Sequence, residues 1–179
     1  AARVRLESDN ITYVYGVTDD MKLRKIQVNT IGGANPNLDS PSILTTLTQS
    51  PTSSTLGAQY GGSLQFYGAT EKIFFGHDFG ITKVNFAGSG EASIATTPSS
   101  IMHNVPRPSA QFLGKMYWGN GNNIMEVDST ETVTSYAKLS PGFPSGTYVR
   151  DLDVTPDGNY LQITVNKNNS PTLFQITTS

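Results

Sequence analysis

The sequence contains no cysteine, so disulfides, thiol catalysis and cysteine-based zinc sites are excluded. Only 15% of its 179 residues are charged, the net charge is -2, and the twelve Lys and Arg residues are scattered along the chain. This charge pattern excludes a basic surface for nucleic acid or for anionic membranes. No apolar run approaches the roughly 20 residues that a membrane-spanning helix requires.

Patterns of an amphipathic helix longer than about two turns are also missing. The chain is rich instead in glycine (17) and proline (10), and it holds eight tyrosines and eight phenylalanines. Abundant turn-forming and strand-forming residues together predict an all-β chain. Residues 31–62 are rich in Ser, Thr and Pro. They predict a long loop, with one short helical turn near Ile43 to Leu47.

Two segments, residues 63–86 and 109–128, share one plan. Each begins with Ser-x-Gln-Phe-x-Gly and continues with a bulky strand that ends in Gly76 or Gly119. Each then closes with two aliphatic residues three positions apart. The stretch "YWGNGNNIMEVD" is therefore the middle of a repeat, and its glycines predict a hairpin and not a phosphate-binding loop.

The other two quarters of the chain fit the plan more loosely, with Gly16 after the bulky strand of the first. The first members of the aliphatic pairs are separated by 58, 43 and 49 residues. The four pairs are Leu23 and Ile26, Ile81 and Val84, Ile124 and Val127, and Leu173 and Ile176. The sequence thus predicts four units, at about residues 3–30, 63–88, 109–130 and 147–178. Each unit is expected to hold three short strands joined by hairpins, followed by a less regular segment.

The second strands carry bulky residues on both faces, as Tyr117 and Trp118 do, which is typical of a strand between two layers. These repeats resemble β-propeller blades of a loose kind that end in I-x-x-V-D after a Y-W-G-x-G-N hairpin. The Trp-Asp dipeptide and the Kelch glycine pairs are absent. The resemblance covers most of the chain and implies a propeller-like array of about four antiparallel blades. A β-sandwich or jelly roll is the alternative.

The sequence begins in the middle of a predicted strand, "ARVRL", and stops at the end of another, "LFQITTS". Propellers close with about four to eight blades, and an open edge exposes unpaired backbone groups. We therefore expect either a single all-β domain over residues 1–179 or a propeller fragment that a second copy or more of the same polypeptide completes.

Candidate residues for metal binding are few. The only histidines, His77 and His103, are not spaced for a metal site with a carboxylate. Asp151, Asp153 and Asp157 are weak metal candidates, because the third carboxylate comes too late for a calcium loop. The sequence therefore predicts no metal and no cofactor.

Candidate residues for catalysis are equally sparse. No G-x-S-x-G motif is present. Carboxylates from different blades could converge for glycan chemistry, and the candidates are Glu71, Asp78, Glu126 and Asp153. Each is more typical of a solvated turn residue. The sequence therefore predicts no catalytic residue.

These observations favour a non-enzymatic structural or interaction module. The composition is similar to that of virion propellers, particularly tail or portal-associated parts of tailed bacteriophages. The expected partners are other protein chains, either copies of itself or the rest of a larger assembly, with no nucleic acid and no membrane insertion. The expected location is the virion. The alternative is a secreted, extracellular propeller lectin or glycan-active enzyme.

Overall fold

A computed structural model describes residues 2–18, 22–29, 37–38, 42–46, 64–67, 72–77, 80–96, 108–112, 114–139, 146–167 and 170–178. Their regular structure is β-strand, and none of it is a helix of the length and hydropathy that could cross a membrane. The strands form four antiparallel sheets that follow one another along the chain. The predicted fold class, an all-β, propeller-like array of antiparallel sheets, is confirmed.

The first half of the chain forms sheets I and II. In sheet I, β3 pairs with both β4 and β5 along its outer edge. The strands of sheet I are β1 (Ala2–Leu6), β2 (Thr12–Val17), β3 (Lys22–Asn29), β4 (Asn37–Leu38) and β5 (Ser42–Thr46). The strands of sheet II, in sequence order, are β6 (Leu64–Tyr67), β7 (Lys72–His77), β8 (Gly80–Asn85) and β9 (Ala92–Thr96).

The second half forms sheets III and IV, again with neighbouring strands in sequence order. The strands of sheet III are β10 (Ser109–Phe112), β11 (Lys115–Asn120), β12 (Asn123–Val127) and β13 (Val133–Lys138). The strands of sheet IV are β14 (Tyr148–Val154), β15 (Tyr160–Lys167) and β16 (Ser170–Thr177).

The segment predicted as a loop, residues 31–62, contains two strands, β4 and β5. The helical turn predicted near Ile43 is wrong, because Ser42–Thr46 is the strand β5. Its pairing with β3 satisfies the backbone, and Leu44 packs against the core between sheets I and II. These tertiary contacts outweigh the weak local preference of a Ser- and Thr-rich segment. In sheets II and III the predicted irregular segment is likewise a strand, β9 or β13.

Three hydrophobic clusters lie between successive sheets. The cluster between sheets I and II includes Tyr15 and Phe75. Trp118 belongs to the cluster between sheets II and III, whereas Tyr117 and Ile163 belong to the one between sheets III and IV. Tyr117 and Trp118 are neighbours in β11 and face opposite ways. Both faces of sheet III are therefore covered.

The first strands of the sheets lie side by side, β1 with β6, β6 with β10, and β10 with β14. Polar contacts join them: Arg3 Nε donates to the carbonyl of Leu64 (2.6 Å), and Gln65 Nε2 donates to the carbonyl of Ser109 (3.1 Å). The sheets therefore form a row in chain order, with sheets I and IV at its ends.

Candidate interaction surfaces

The aliphatic pairs define two faces of each sheet. Their members are three positions apart in one strand, so they point to opposite faces. The first members, Leu23, Ile81 and Ile124, are 0%, 0% and 1% exposed and contact the next sheet in the row. We call this side of a sheet its forward face. The second members, such as Val84 and Val127, contact the preceding sheet from what we call the backward face.

Two faces have no neighbouring sheet within the described part of the chain: the backward face of sheet I and the forward face of sheet IV. We call them the end faces. The large hydrophobic side chains that are exposed in the described chain all lie on them, Val4, Leu6 and Ile43 on sheet I and Tyr160 and Leu173 on sheet IV. Leu173 is 65% exposed although its counterparts in the other sheets are buried. Apolar groups concentrated in this way mark interaction sites.

The end face of sheet I carries a row of branched aliphatic residues. Val4 pairs with Val14, and Val14 pairs with Ile26, so the row crosses the first three strands. Lys22 and Arg24 lie on the same face near the start of β3. A partner that covers this face must bury aliphatic surface and tolerate positive charge at one side.

The end face of sheet IV is mixed in polarity. Leu173 and Tyr160 share it with Gln162 and Gln175, which pair with each other across β15 and β16. Asp153 of β14 pairs with Gln162 and adds a negative charge. Such a surface, with a small apolar centre and amides around it, resembles the composition of protein interfaces.

One carboxylate joins sheets II and III. Glu131, in the turn between β12 and β13, accepts hydrogen bonds from Lys72 Nζ (2.5 Å) and from Lys83 Nζ. Its φ is 65°, and its N–H donates to the carbonyl of Asp128 (2.9 Å), so the turn itself presents the side chain. Sequence reasoning missed this residue, because a single glutamate in a turn has no periodic signal.

A second charged network lies within sheet I. Lys25 Nζ lies 2.8 Å from Glu7 Oε2 and 3.7 Å from the centroid of the Tyr13 ring, and the Tyr15 hydroxyl donates to Glu7. Burial raises the pKa of Glu7, but the hydrogen bonds from Lys25 and Tyr15 outweigh it and leave that pKa below its ordinary value. Burial, together with bonding to Glu7, raises the pKa of Tyr15. These groups satisfy one another and stabilise the sheet.

The forward face of sheet III carries a further tyrosine pair. The rings of Tyr117 and Tyr136 meet edge to face with centroids 5.3 Å apart. Burial, assisted by the charge of Glu126, raises the pKa of Tyr117 to about 12. Glu126 itself lies 3.4 Å from Lys115 Nζ. Tyr117 therefore keeps its proton at neutral pH. The ion pair with Lys115 involves Oε1 of Glu126, whereas its Oε2 is buried without a hydrogen-bond partner in the described residues.

Two of the repeat glycines occupy matching places. Gly76 of β7 lies opposite Ile81, and Gly119 of β11 lies opposite Ile124. A Cβ added to Gly119 would lie 2.8 Å from Cγ of Pro108. At this position the glycine permits a close approach of the chain that enters sheet III.

The third repeat glycine lies one residue away from that position. Gly16 of β2 pairs with Arg24, whereas Val17 pairs with Leu23. Gly76 lies opposite Ile81, and Leu23 is the counterpart of Ile81 in sheet I. Because Leu23 lies opposite Val17, the counterpart of Gly76 in sheet I is Val17 and not Gly16.

The three weak metal candidates are hydrogen-bonded locally. Asp151 and Asp153 each accept the backbone N–H of the following residue. Asp157 accepts hydrogen bonds from Thr155 Oγ1 (2.5 Å) and from the N–H of Asn159 (3.1 Å), and these bonds lower its pKa. Within the described ranges, no group of three His, Cys, Asp or Glu side chains could hold a metal ion.

Four of the other candidates cannot be compared with the prediction. Glu71, Asp78 and His103 lie outside the described residues. For His77 only the backbone is described, at the end of β7. The described candidate carboxylates, Glu126 and Asp153, lie on different sheets.

No family model matches the chain, and no curated protein matches it in sequence. Solved structures share its fold. A chain in the crystal structure of a nidogen/laminin complex is 12% identical with a TM-score of 0.56, and the match covers 93% of this chain and 57% of that chain. The GH74 enzyme of Niastella koreensis is 16% identical with a TM-score of 0.52, and the match covers 94% of this chain and 27% of the enzyme. These neighbours are β-propeller-type folds, and the protein spans about half of the first and about a quarter of the second.

Proposed function

We propose that this protein is a non-enzymatic structural and interaction module that binds other protein chains through its end faces. One observation carries the proposal: within the described residues, the exposed large hydrophobic side chains lie on the end faces. Isolated apolar residues are common on any protein surface, but a concentration on two faces is typical of binding surfaces. The partners are copies of the same chain or other parts of a larger assembly.

The chemistry of the described side chains supports a role without catalysis. Glu126 lies beside Lys115, Glu131 accepts from two lysines, and Asp157 is held in its own turn. Glycan hydrolysis requires a pair of carboxylates, and the two described candidates, Glu126 and Asp153, lie on different sheets. One fold neighbour comes from a protein complex and another is an enzyme, so the fold is compatible with both classes. The exposed apolar side chains of the end faces favour an interaction module over an enzyme.

A position in the virion, as a tail or portal-associated component, is the finer form of the proposal. It depends on the composition and on the resemblance to propeller repeats, and it stays a prediction.

Light scattering on a sizing column, at several concentrations, tests the proposal. We expect the wild-type chain to exceed its monomer mass as concentration rises, because the end face of sheet I buries aliphatic surface on association. V4K places a charge on that face at a residue that is 64% exposed, so folding is unaffected and association falls. T134K is the matched control, since Thr134 is exposed on β13 away from both end faces. A chain that stays monomeric throughout and binds immobilised glycans would contradict the proposal.

A further inference from the structure

The sheets differ in how they end. In sheets I, II and III the strand with the aliphatic pair also pairs with a later antiparallel strand, β5, β9 or β13, and in sheet I with β4 as well. In sheet IV the corresponding strand is β16, and within the described residues it pairs only with β15. Sheet IV therefore has an outer edge that is covered in each of the other sheets.

The three additional strands share an irregularity. Each has a β-bulge at the same point of register, directly after Leu23, Ile81 or Ile124. In each case the residue left unpaired is bulky and apolar, and the next one is small: Leu44 and Thr45, Ile94 and Ala95, Tyr136 and Ala137. A bulge of this kind redirects a side chain.

The bulged side chain covers the forward face. Leu44, Ile94 and Tyr136 pack against the clusters that contain, respectively, the first aliphatic residues of sheets I, II and III. The same face of sheet IV has the aliphatic residue, Leu173, without this cover, and Leu173 is 65% exposed. The repeat itself thus identifies the missing contact as a bulky apolar residue on an added strand.

The backbone of β16 presents donors along this edge. The N–H of Thr178 bonds to the carbonyl of Asn159 on the β15 side. Because N–H groups alternate along a strand, those of Leu173, Gln175 and Thr177 point to the outer edge. Among the described strands, β16 pairs only with β15, and at the far end of its outer edge the Tyr136 hydroxyl of β13 donates to the carbonyl of Thr177. A strand edge of this kind is a template for strand addition.

A cavity of about 180 Å³ lies beside the same edge, on the backward side of sheet IV. Its walls include Ile163, Phe174 and Ile176 of sheet IV, together with Ala137 of β13 and Leu139 directly after β13. The cavity lies between β16 and β13, where the inward side chains of an added strand would be placed. It is a second observation, independent of the bulges, that points to the same edge.

Sheet III indicates what would fill such a space. On β13, Val133 lies opposite Val127 and packs against the cluster between sheets II and III. Ile176 is the counterpart of Val127 in sheet IV. On an added strand in the same register, the residue equivalent to Val133 would therefore lie opposite Ile176, which lines the cavity. An aliphatic residue three positions before the bulged one therefore suits the added strand.

We propose that the outer edge of sheet IV binds an extended segment of a partner protein as a fourth antiparallel strand. The segment carries an aliphatic residue, and three positions later a bulky apolar residue followed by a small one. Main-chain hydrogen bonds to β16 hold the strand, while the contact with Leu173 and the cavity select its side chains. This inference rests on the proposed function and specifies one of its contacts.

A labelled peptide with the sequence of residues 132–139, TVTSYAKL, tests the inference, because it is the added strand of sheet III. Fluorescence anisotropy with the purified full chain is expected to show saturable binding. The peptide with Y136S should bind at least roughly ten-fold more weakly, because it has no aromatic ring to bury against the protein. A peptide N-methylated at alternate residues should not bind, because its backbone donors are blocked.

Two variants of the protein locate the site. L173S removes the exposed aliphatic residue of β16 and should weaken binding several-fold. Y160S is the matched control, since Tyr160 is exposed on the same face but lies at the start of β15. Circular dichroism checks that both variants fold. If the peptide instead replaced β13 in sheet III, L173S would not weaken its binding. The two variants therefore distinguish binding at the edge of sheet IV from binding at the edge of sheet III.

Three results would overturn the inference: no saturable binding at millimolar peptide, equal losses in L173S and Y160S, or full binding by the N-methylated peptide. If the peptide fails while the chain still associates in light scattering, the strand inference falls and the proposed function stands.

Discussion

At the residue scale, one glycine reveals how closely sheets III and IV approach each other. Gly158 lies in the turn between β14 and β15 with a φ of 74°. A Cβ at this position would lie 1.9 Å from Cε1 of Phe112 in β10. Both the backbone conformation and the available space therefore favour glycine.

We predict that G158A lowers the free energy of unfolding by about 2–4 kcal/mol, from backbone strain plus overpacking against Phe112. Urea denaturation measures the loss. G114A separates the two causes, because Gly114 also has positive φ (80°) but a Cβ there would come no nearer than 4.0 Å to Tyr67. A loss in G158A no greater than that in G114A would show that the contact with Phe112 has no effect.

The lowered pKa of Glu7 predicts an acid-sensitive contribution to stability. A carboxylate whose pKa is lower in the folded state stabilises the fold above its unfolded pKa, and this stabilisation is lost as pH falls through the folded value. We expect E7Q to be less stable than the wild type at pH 7. The difference should shrink as pH falls below about 4.3, the unfolded pKa of glutamate. Urea midpoints measured across pH test this, and a difference independent of pH would contradict it.

At the scale of strands, the sequence predicted what is periodic and missed what depends on a neighbour. The aliphatic pairs and bulky second strands have strong patterns, and they led to the four sheets. The strand "SILTT" (Ser42–Thr46) has no such pattern, since its order comes from pairing with β3 and from the packing of Leu44. Whether Gly16 or Val17 corresponds to Gly76 depends on the register between β2 and β3, and register is a property of paired strands.

The candidate surfaces were beyond prediction for a related reason. Leu173 and Ile81 occupy the same position in the repeat and have similar side chains. One is exposed and the other buried, because sheet II has a neighbour on its forward face and sheet IV has none in the described chain. Whether a face is covered is a property of the packed sheets and is not encoded in the local pattern.

The contact of Glu131 with sheet II gives a prediction about elements. E131Q keeps the shape of the side chain but removes the charge that Lys72 and Lys83 share. We expect a loss of stability of about 1 kcal/mol, because the group is partly exposed to solvent. In a double-mutant cycle with K83M, the two losses should be less than additive. Strict additivity would contradict a direct contact between the sheets.

At the scale of the whole molecule, the sheets are coupled as a row. Each hydrophobic cluster joins two consecutive sheets, so stability approximates a sum of sheets and nearest-neighbour contacts. Sheets II and III are packed on both faces, and sheets I and IV on one. We expect amide hydrogen exchange to be faster in β1 and β16 than in β7 and β11. Equal protection in all four sheets would contradict this coupling.

The row also determines how the protein would respond to force. Ala2 and Thr178 lie in the sheets at opposite ends, so tension applied between them acts on the three interfaces in series. Sheets would separate and unfold one at a time, and each of sheets II, III and IV would release about 30 residues, or roughly 100 Å of extended chain. The molecule would lengthen in steps and absorb mechanical work at each one. A partner strand bound to β16 would then raise the force that is needed to unfold sheet IV.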